Sequence, residues 1–196
     1  MKVIGVTGGI GAGKSTVVNL AKREFPVAVI FTDLVAREQM RKGGCSYQEV
    51  VQEFGEEILL EDGEINRNKL AEIIFSDADK VKKINAITHP NVINYVKEKI
   101  EEYRRSGKYR AVLVETALLF EAKMDKICDE TWCIYADQEV RRERLVQSRN
   151  YSNEKIDAIF EKQDKDEYAR EHCTYEIVNN NETTESELVE KIRIRL

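Results

Sequence analysis

Several things are scarce in this chain, and each scarcity excludes something. Cys45, Cys128, Cys133 and Cys173 are scattered over 196 residues with no Cys-x-x-Cys pair. That rules out a disulfide framework and points to thiols in a reducing compartment. The two histidines, His89 and His172, have no zinc-ligand spacing. No window reaches the ~18 apolar residues of a transmembrane helix. Lys2 is followed by only a short apolar run before glycines and Lys14, unlike a secretory signal. The expectation is a cytoplasmic protein without a membrane partner. Positive charge is not in excess. Lys and Arg number 31 against 36 Asp and Glu, a net charge of −5 with pI near 5.3. A general nucleic-acid partner would want a strongly basic face, so none is expected. A phosphate ligand needs only a local cation.

What is present suits a globular chain. Hydrophobic residues make up 42% and charged residues 34%, and the length predicts one domain. Five of the ten glycines fall in the first thirteen residues. They follow a β-like run, Lys2–Val6, and precede an amphipathic pattern starting near Lys14. Phe25-Pro26 ends that helix. Residues 27–31 read as a second strand buried in a parallel sheet. A helix is predicted over 34–41, ending at Gly43-Gly44, and another over 47–54. Asp62-Gly63 marks a turn. Asn66 is a cap for residues 67–75. Ser76 to Asp79 has the form of a capping box opening a long helix, which Pro90 should kink. Residues 111–115, 132–136 and 175–178 read as three further strands with charged helices between them. Thr184 to Glu187 resembles a last capping box. Alternating strands and helices imply a parallel sheet covered on both faces.

Gly8-Gly9-Ile10-Gly11-Ala12-Gly13-Lys14-Ser15 fits G-x-x-x-x-G-K-[ST] at every fixed position. Its glycines let backbone N–H groups converge on phosphate oxygens, and the next helix adds its positive end. Lys14 supplies a cation for the β- and γ-phosphates of ATP, and Ser15 a hydroxyl for Mg²⁺. Asp33 closes the second strand, at the edge where open α/β sheets bind ligands. It suits two roles equally: an acid that orients or deprotonates an acceptor hydroxyl, or a helix N-cap. Glu115 ends the third strand. It is either a support for Mg²⁺, directly or through water, or a cap or surface acid. Arg141, Arg142, Arg144 and Arg149 offer a cation to cover a transferring phosphoryl group, or a solvated face paired with Glu139 and Glu143.

Three function classes fit a phosphate loop: a small-molecule kinase, a nucleotide-hydrolysing switch or motor, and a protein that binds nucleotide only for stability. No Asp-x-x-Gly or Asn-Lys-x-Asp is present, and no Leu-Ser-Gly-Gly-Gln. The kinase is preferred.

Taken in order, the motifs resemble the dephospho-coenzyme A kinase family along essentially the whole chain. Residues 5–16 are similar to its phosphate loop, including Thr7 before the glycine pair. Asp33-Leu34-Val35-Ala36-Arg37 resembles its Asp-x-x-Ala-Arg. Residues 62–67 with Leu70-Ala71 and Ile74-Phe75 resemble its stretch before the long helix. His89-Pro90 resembles its His-Pro, and Leu118-Leu119-Phe120-Glu121 its Leu-Leu-Phe-Glu. Gln163 falls at its lid glutamine. There are departures. Phe31-Thr32 precede Asp33 where the family has Asp-Ala. Glu115 stands for an aspartate and Ala117 for a proline. Ser148 stands for an arginine, with Arg149 one place later.

The resemblance implies transfer of the ATP γ-phosphoryl group to the ribose 3′-hydroxyl of dephospho-coenzyme A. A nucleoside monophosphate kinase-like activity is the alternative. The implied fold is α/β, an adenylate-kinase-like P-loop domain with a five-stranded parallel sheet flanked by helices. The single domain, 1–196, would comprise a core of 1–33, 108–137 and 174–196, an acceptor-binding region of 34–107 and a lid of 138–173. By resemblance Asp33, Lys14 and Arg149 are catalytic, Gly8 to Thr16 bind nucleotide, and Arg37 and His89 join Asp33 at the acceptor.

Overall fold

The computed structural model describes residues 1–75, 77–161 and 164–196. The chain forms two compact units, 1–30 with 100–196, and 31–99.

The first unit is built on the sheet. Strands β1 (Lys2–Thr7), β2 (Val27–Phe31), β3 (Ala111–Glu115), β4 (Glu130–Tyr135) and β5 (Tyr175–Val178) form a five-stranded parallel sheet in the order β2-β3-β1-β4-β5. β1 lies at its centre, with Val6 opposite Glu115 on one side and Thr7 opposite Cys133 on the other. A strand paired on both sides and covered on both faces must be apolar throughout, and Val3, Ile4, Val6 and all of residues 111–114 are buried. Helix α1 (Lys14–Glu24) turns Val17, Val18, Leu20 and Ala21 into this core, at helical spacing. Glu130, the first residue of β4, is buried at 7% exposure. It accepts from Trp132 Nε1 at 2.8 Å, Arg195 Nε at 2.6 Å and Lys2 Nζ at 3.3 Å.

The second unit is helical: α2 (Thr32–Gln39), α3 (Tyr47–Phe54), α4 (Arg67–Phe75) and most of α5 (Ala78–Ser106), which runs on through Pro90 and ends in the first unit. Val50, Phe54, Ile58, Ile65, Leu70, Ile74 and Ile84 make its separate core. Asn66 caps α4, accepting the Lys69 N–H at 3.2 Å. Gln39 of α2 donates to the Asn91 carbonyl of α5 at 3.1 Å. The capping box expected at Ser76 falls on a residue outside those described. Asp77 accepts the Asp79 N–H at 2.8 Å.

After β4 come α6 (Gln138–Arg149), α7 (Asn153–Glu161) and α8 (Asp164–His172). α9 (Glu185–Arg195) opens on the expected Thr184–Glu187 capping box. Three sequence expectations need correction. α2 begins at Thr32, not Leu34, because the buried Thr32 turns the chain straight off β2. β4 begins at Glu130. Among the described residues no α-helix joins β3 to β4, only a compact turn and a short 3₁₀ stretch, Met124–Ile127. Lys123, with φ 55°, stops helical propagation there, while Leu119 packs beneath Gly5. Among the described residues no helix is long and apolar enough to cross a membrane.

Candidate active site

The loop between β1 and α1 is shaped by where its backbone can go. Gly8 has φ +143°, and a Cβ there would lie 2.1 Å from the Ile134 carbonyl oxygen of β4. Backbone cannot retreat, so only glycine fits. Gly13, in the left-handed region with φ +89°, precedes α1. Neither a side-chain cap nor an acid in the first turn neutralises the positive end of that helix.

The loop's carbonyls are held by side chains. Lys14 Nζ donates to the carbonyls of Gly8 at 2.7 Å and Gly9 at 3.4 Å. Arg141 Nε donates to the carbonyl of Ile10 at 2.8 Å. Asn179 Nδ2 donates to the carbonyl of Ala12 at 2.9 Å. In a trans peptide the N–H points opposite to the C=O. Fixing the carbonyls of Ile10 and Ala12 therefore turns the N–H groups of Gly11 and Gly13 the other way, the arrangement a phosphate nest requires. The holders are themselves fixed. Arg141 is 7% exposed with its guanidinium 4.7 Å over the Phe160 ring. Asn179 is 5% exposed, and its carbonyl accepts from Arg144 Nη1 at 2.9 Å.

Ser15 and Thr16 occupy the exposed first turn of α1. Glu115 closes β3 beside β1 at 9% exposure. The next described element after β3 is the 3₁₀ stretch from Met124, so both the cap and the surface-acid readings of Glu115 fail. The N-cap reading of Asp33 fails too. The N-cap of α2 is Phe31, and Asp33 is the exposed second residue of the helix. Arg37 lies one turn further along the same face, also exposed. His89 is half-buried on α5, in the same helical unit.

The four arginines separate. Arg141 and Arg144 reach the loop side. Arg142 pairs with Asp157 of α7. Arg149 ends α6, exposed, 6.0 Å from the Tyr151 ring. Gln163 lies outside the described residues. Sequence reasoning missed Asn179 altogether and gave Arg141 and Arg144 no target. Two signals were available: the Asn179-Asn180-Asn181 run just past β5, at the ligand-binding edge, and the i, i+3 spacing of Arg141 and Arg144.

A phosphate loop leaving the central strand of a five-stranded parallel sheet, in the order 2-3-1-4-5, defines a P-loop kinase fold. The family model described as Dephospho-CoA kinase matches residues 2–185. A dephospho-CoA kinase of Carboxydothermus hydrogenoformans is 40% identical over 154 residues, 79% of this chain and 74% of that protein. Among solved structures, TT1252 from Thermus thermophilus superposes with a TM-score of 0.79 at 27% identity, covering 99% of this chain and 95% of that one. The dephospho-CoA kinase from Campylobacter jejuni, at 22% identity and TM-score 0.69, covers 98% and 94% and shows the same fold. The chain belongs to the dephospho-CoA kinase family.

Proposed function

We propose that the chain transfers the γ-phosphoryl group of ATP to the ribose 3′-hydroxyl of dephospho-coenzyme A, giving coenzyme A and ADP, the last step of coenzyme A biosynthesis. The observation that carries this is the family match over residues 2–185, which takes in a phosphate loop whose lysine already lies on the loop's own carbonyls. Residues 8–16 hold the ATP phosphates by backbone N–H groups. Lys14 leaves the Gly8 and Gly9 carbonyls for the β- and γ-phosphates.

Asp33 orients the acceptor hydroxyl and takes its proton as the new O–P bond forms and the bond to ADP breaks. Its exposure leaves it free to meet substrate. Arg37 and His89 bind the acceptor. Arg149 covers the transferring group. The other three arginines are engaged by the loop side or by Asp157, whereas Arg149 lies against the Tyr151 ring alone among the described residues. In this reading residues 1–33, 108–137 and 174–196 are the core, 34–107 the acceptor-binding region and 138–173 the lid.

Mg²⁺ usually takes one or two protein oxygens, with phosphates and waters completing its shell. The hydroxyl of Ser15 and the carboxylate of Glu115 are such a donor set. They would hold the ion, Glu115 directly or through water, and the ion would neutralise charge on the phosphates. The reading takes the protein as cytoplasmic, in keeping with four free cysteines.

An acceptor panel tests it. Dephospho-coenzyme A, adenosine, AMP, CMP, UMP, gluconate and shikimate are each supplied with ATP and Mg²⁺, and ADP release and product mass are read. Preferred phosphorylation of dephospho-coenzyme A is expected. A monophosphate preferred over it would make the enzyme a nucleoside monophosphate kinase instead.

A further inference from the structure

β4 and the segment that enters β5 carry two thiols side by side. Thr131 and Cys133 are alternate residues of β4, so their side chains share one face of the sheet. α8 packs against β4, and the chain leaves its end at Cys173. Thr174 then fastens this segment to β4. Its hydroxyl donates to the Thr131 carbonyl at 2.9 Å and accepts the Thr131 N–H at 2.9 Å, while its own N–H donates to the Thr131 hydroxyl at 3.0 Å. Beside that clamp the Cys173 thiol is hydrogen-bonded to the Cys133 thiol and to the Thr131 hydroxyl. Cys133 is 2% exposed and Cys173 is half-buried.

The other two cysteines are placed differently. Cys45 is exposed in the helical unit. Cys128 donates to the Met124 carbonyl at 3.2 Å, and burial pushes its thiol up to about 12, so it is inert as a nucleophile. Cys173 goes the other way. The hydrogen bond from Cys133, with a second from Thr131, outweighs burial and holds its thiol below the ordinary value. A half-buried thiol with raised thiolate character, touching a second thiol, is the arrangement of a redox-sensitive pair.

We propose that Cys133 and Cys173 form a reversible disulfide that weakens nucleotide binding, with a low-molecular-weight disulfide such as glutathione disulfide as the oxidant. The Cys173 thiolate attacks one glutathione sulfur. A mixed disulfide forms, the glutathione S–S bond breaks, and one glutathione leaves as thiolate. Cys133 then attacks the Cys173 sulfur and the second glutathione leaves. Two protein thiols are oxidised, one glutathione disulfide is reduced, and the two protein protons end on the two glutathione thiols. The register sets Cys133 opposite Glu176, three residues beyond Cys173. The crosslink thus joins residues that are not cross-strand partners, a strained geometry that is readily reduced again. The strain reaches the phosphate loop through β4. A disulfide is shorter than any hydrogen bond between two sulfurs, so closing it draws the two segments together. The Cys173 side is held by the Thr174 clamp and by Arg170 of α8, which pairs with Glu176 and lies 3.7 Å over the Tyr135 ring. On the β4 side, Cys133 is opposite Thr7, the last residue of β1, and Ile134 presents the carbonyl that leaves Gly8 no room for a Cβ. A shift of β4 here presses that carbonyl on the loop.

The test equilibrates the full chain with glutathione buffers of stepped redox ratio, traps the remaining thiols by alkylation and maps the crosslinks by mass spectrometry. ADP binding is measured by calorimetry on the reduced and oxidised proteins. Cys133–Cys173 should be the crosslink found. The Kd for ADP should rise about tenfold on oxidation, within the usual range of coupling between two sites, and return on treatment with dithiothreitol. Coupling is reciprocal, so saturating ADP should raise the midpoint potential of the disulfide by the same factor, about 30 mV for two electrons. Cys45→Ser should keep the disulfide. Cys173→Ala should bind ADP in oxidising buffer as the reduced wild type does, with melting temperature as the check on its fold. The wild-type crosslink map and the ADP-dependent midpoint decide the matter even if that variant is unstable. Absence of the Cys133–Cys173 crosslink at every ratio, a crosslink through Cys45 or Cys128 in its place, or equal ADP affinity in the reduced and oxidised proteins overturns the proposal.

Discussion

Asn179 and Ala12 are 167 residues apart in the chain, yet the Asn179 carboxamide donates to the Ala12 carbonyl at 2.9 Å. The bond ties the end of β5 to the phosphate loop. A Cβ on Gly13 would fall 2.2 Å from the same nitrogen. Gly13 is therefore required both by its positive φ and by the side chain that presses on it.

Asn179→Asp keeps the shape and removes the donor. A carboxylate facing a buried carbonyl leaves the acceptor unpaired, at a cost of about 1–3 kcal/mol. The variant should melt lower and bind ADP more weakly, because the N–H of Gly13 is no longer held in place. Calorimetric titration with ADP and a thermal melt measure both. Unchanged ADP affinity would mean that the loop keeps its form without Asn179.

Lys14→Ala should lower kcat by about 10²-fold or more, the usual loss for an electrostatic stabiliser of a transition state. The fold should survive, since the carbonyls that the side chain holds belong to its own loop. Circular dichroism alongside turnover separates the two effects. More than about a tenth of wild-type rate would remove Lys14 from the chemistry.

Asp33→Asn should lower kcat far more than it changes ATP affinity, because an acid acting on the acceptor hydroxyl works in the transition state. It should cost little stability, as the residue is exposed and is not the N-cap of its helix. Collapse of ATP affinity with kcat held would transfer Asp33 to the nucleotide site.

The phosphate loop was legible because its chemistry needs fixed residue types in one contiguous run, and a short apolar run marked each strand. What holds the loop was not legible. Arg141 reaches Ile10 across 131 residues and Asn179 reaches Ala12 across 167, and nothing local in α6 or after β5 names those targets. The β3–β4 link was misread for a related reason. A charged helix was expected between these strands, but Lys123 adopts a left-handed φ, and Leu119 packs under Gly5. Asp33 stood open between a helix cap and an acid on the acceptor hydroxyl. Aspartate is a good cap, but here the chain turns one residue before it, at the buried Thr32.

Glu130 sets a prediction for stability against pH. Burial alone would push its carboxyl up, but hydrogen bonds from Arg195, Trp132 and Lys2 bring it below its ordinary value. A depressed folded-state pKa means the unfolded chain binds more protons in the acidic range. Stability from this group is therefore full above the unfolded value, about 4.3, and is lost as pH falls through the folded one. Glu130→Gln should be less stable than wild type at pH 7, and the gap should narrow below about pH 4. Urea melts across about pH 3–7 test this, and a gap independent of pH would assign the loss to packing.

Arg149 gives the sharpest division among the arginines. Arg142 is engaged by Asp157, Arg144 by the Asn179 carbonyl, and Arg141 is buried against Phe160 and the Ile10 carbonyl. Arg149 stands at the exposed end of α6, next to the left-handed Asn150 that ends the helix. A cation that must cover a transferring phosphoryl group has to be free to move. Arg149→Ala should cost about 10²-fold in kcat with no change in melting temperature. Arg142→Ala should stay near wild type in rate. Arg144→Ala should lower both melting temperature and ADP affinity, because it releases the Asn179 segment from the loop. Turnover, ADP titration and thermal melts on the three variants separate these outcomes. Near-normal turnover in Arg149→Ala would mean that another group neutralises the phosphoryl oxygens, and a kcat collapse in Arg144→Ala at unchanged ADP affinity would identify it.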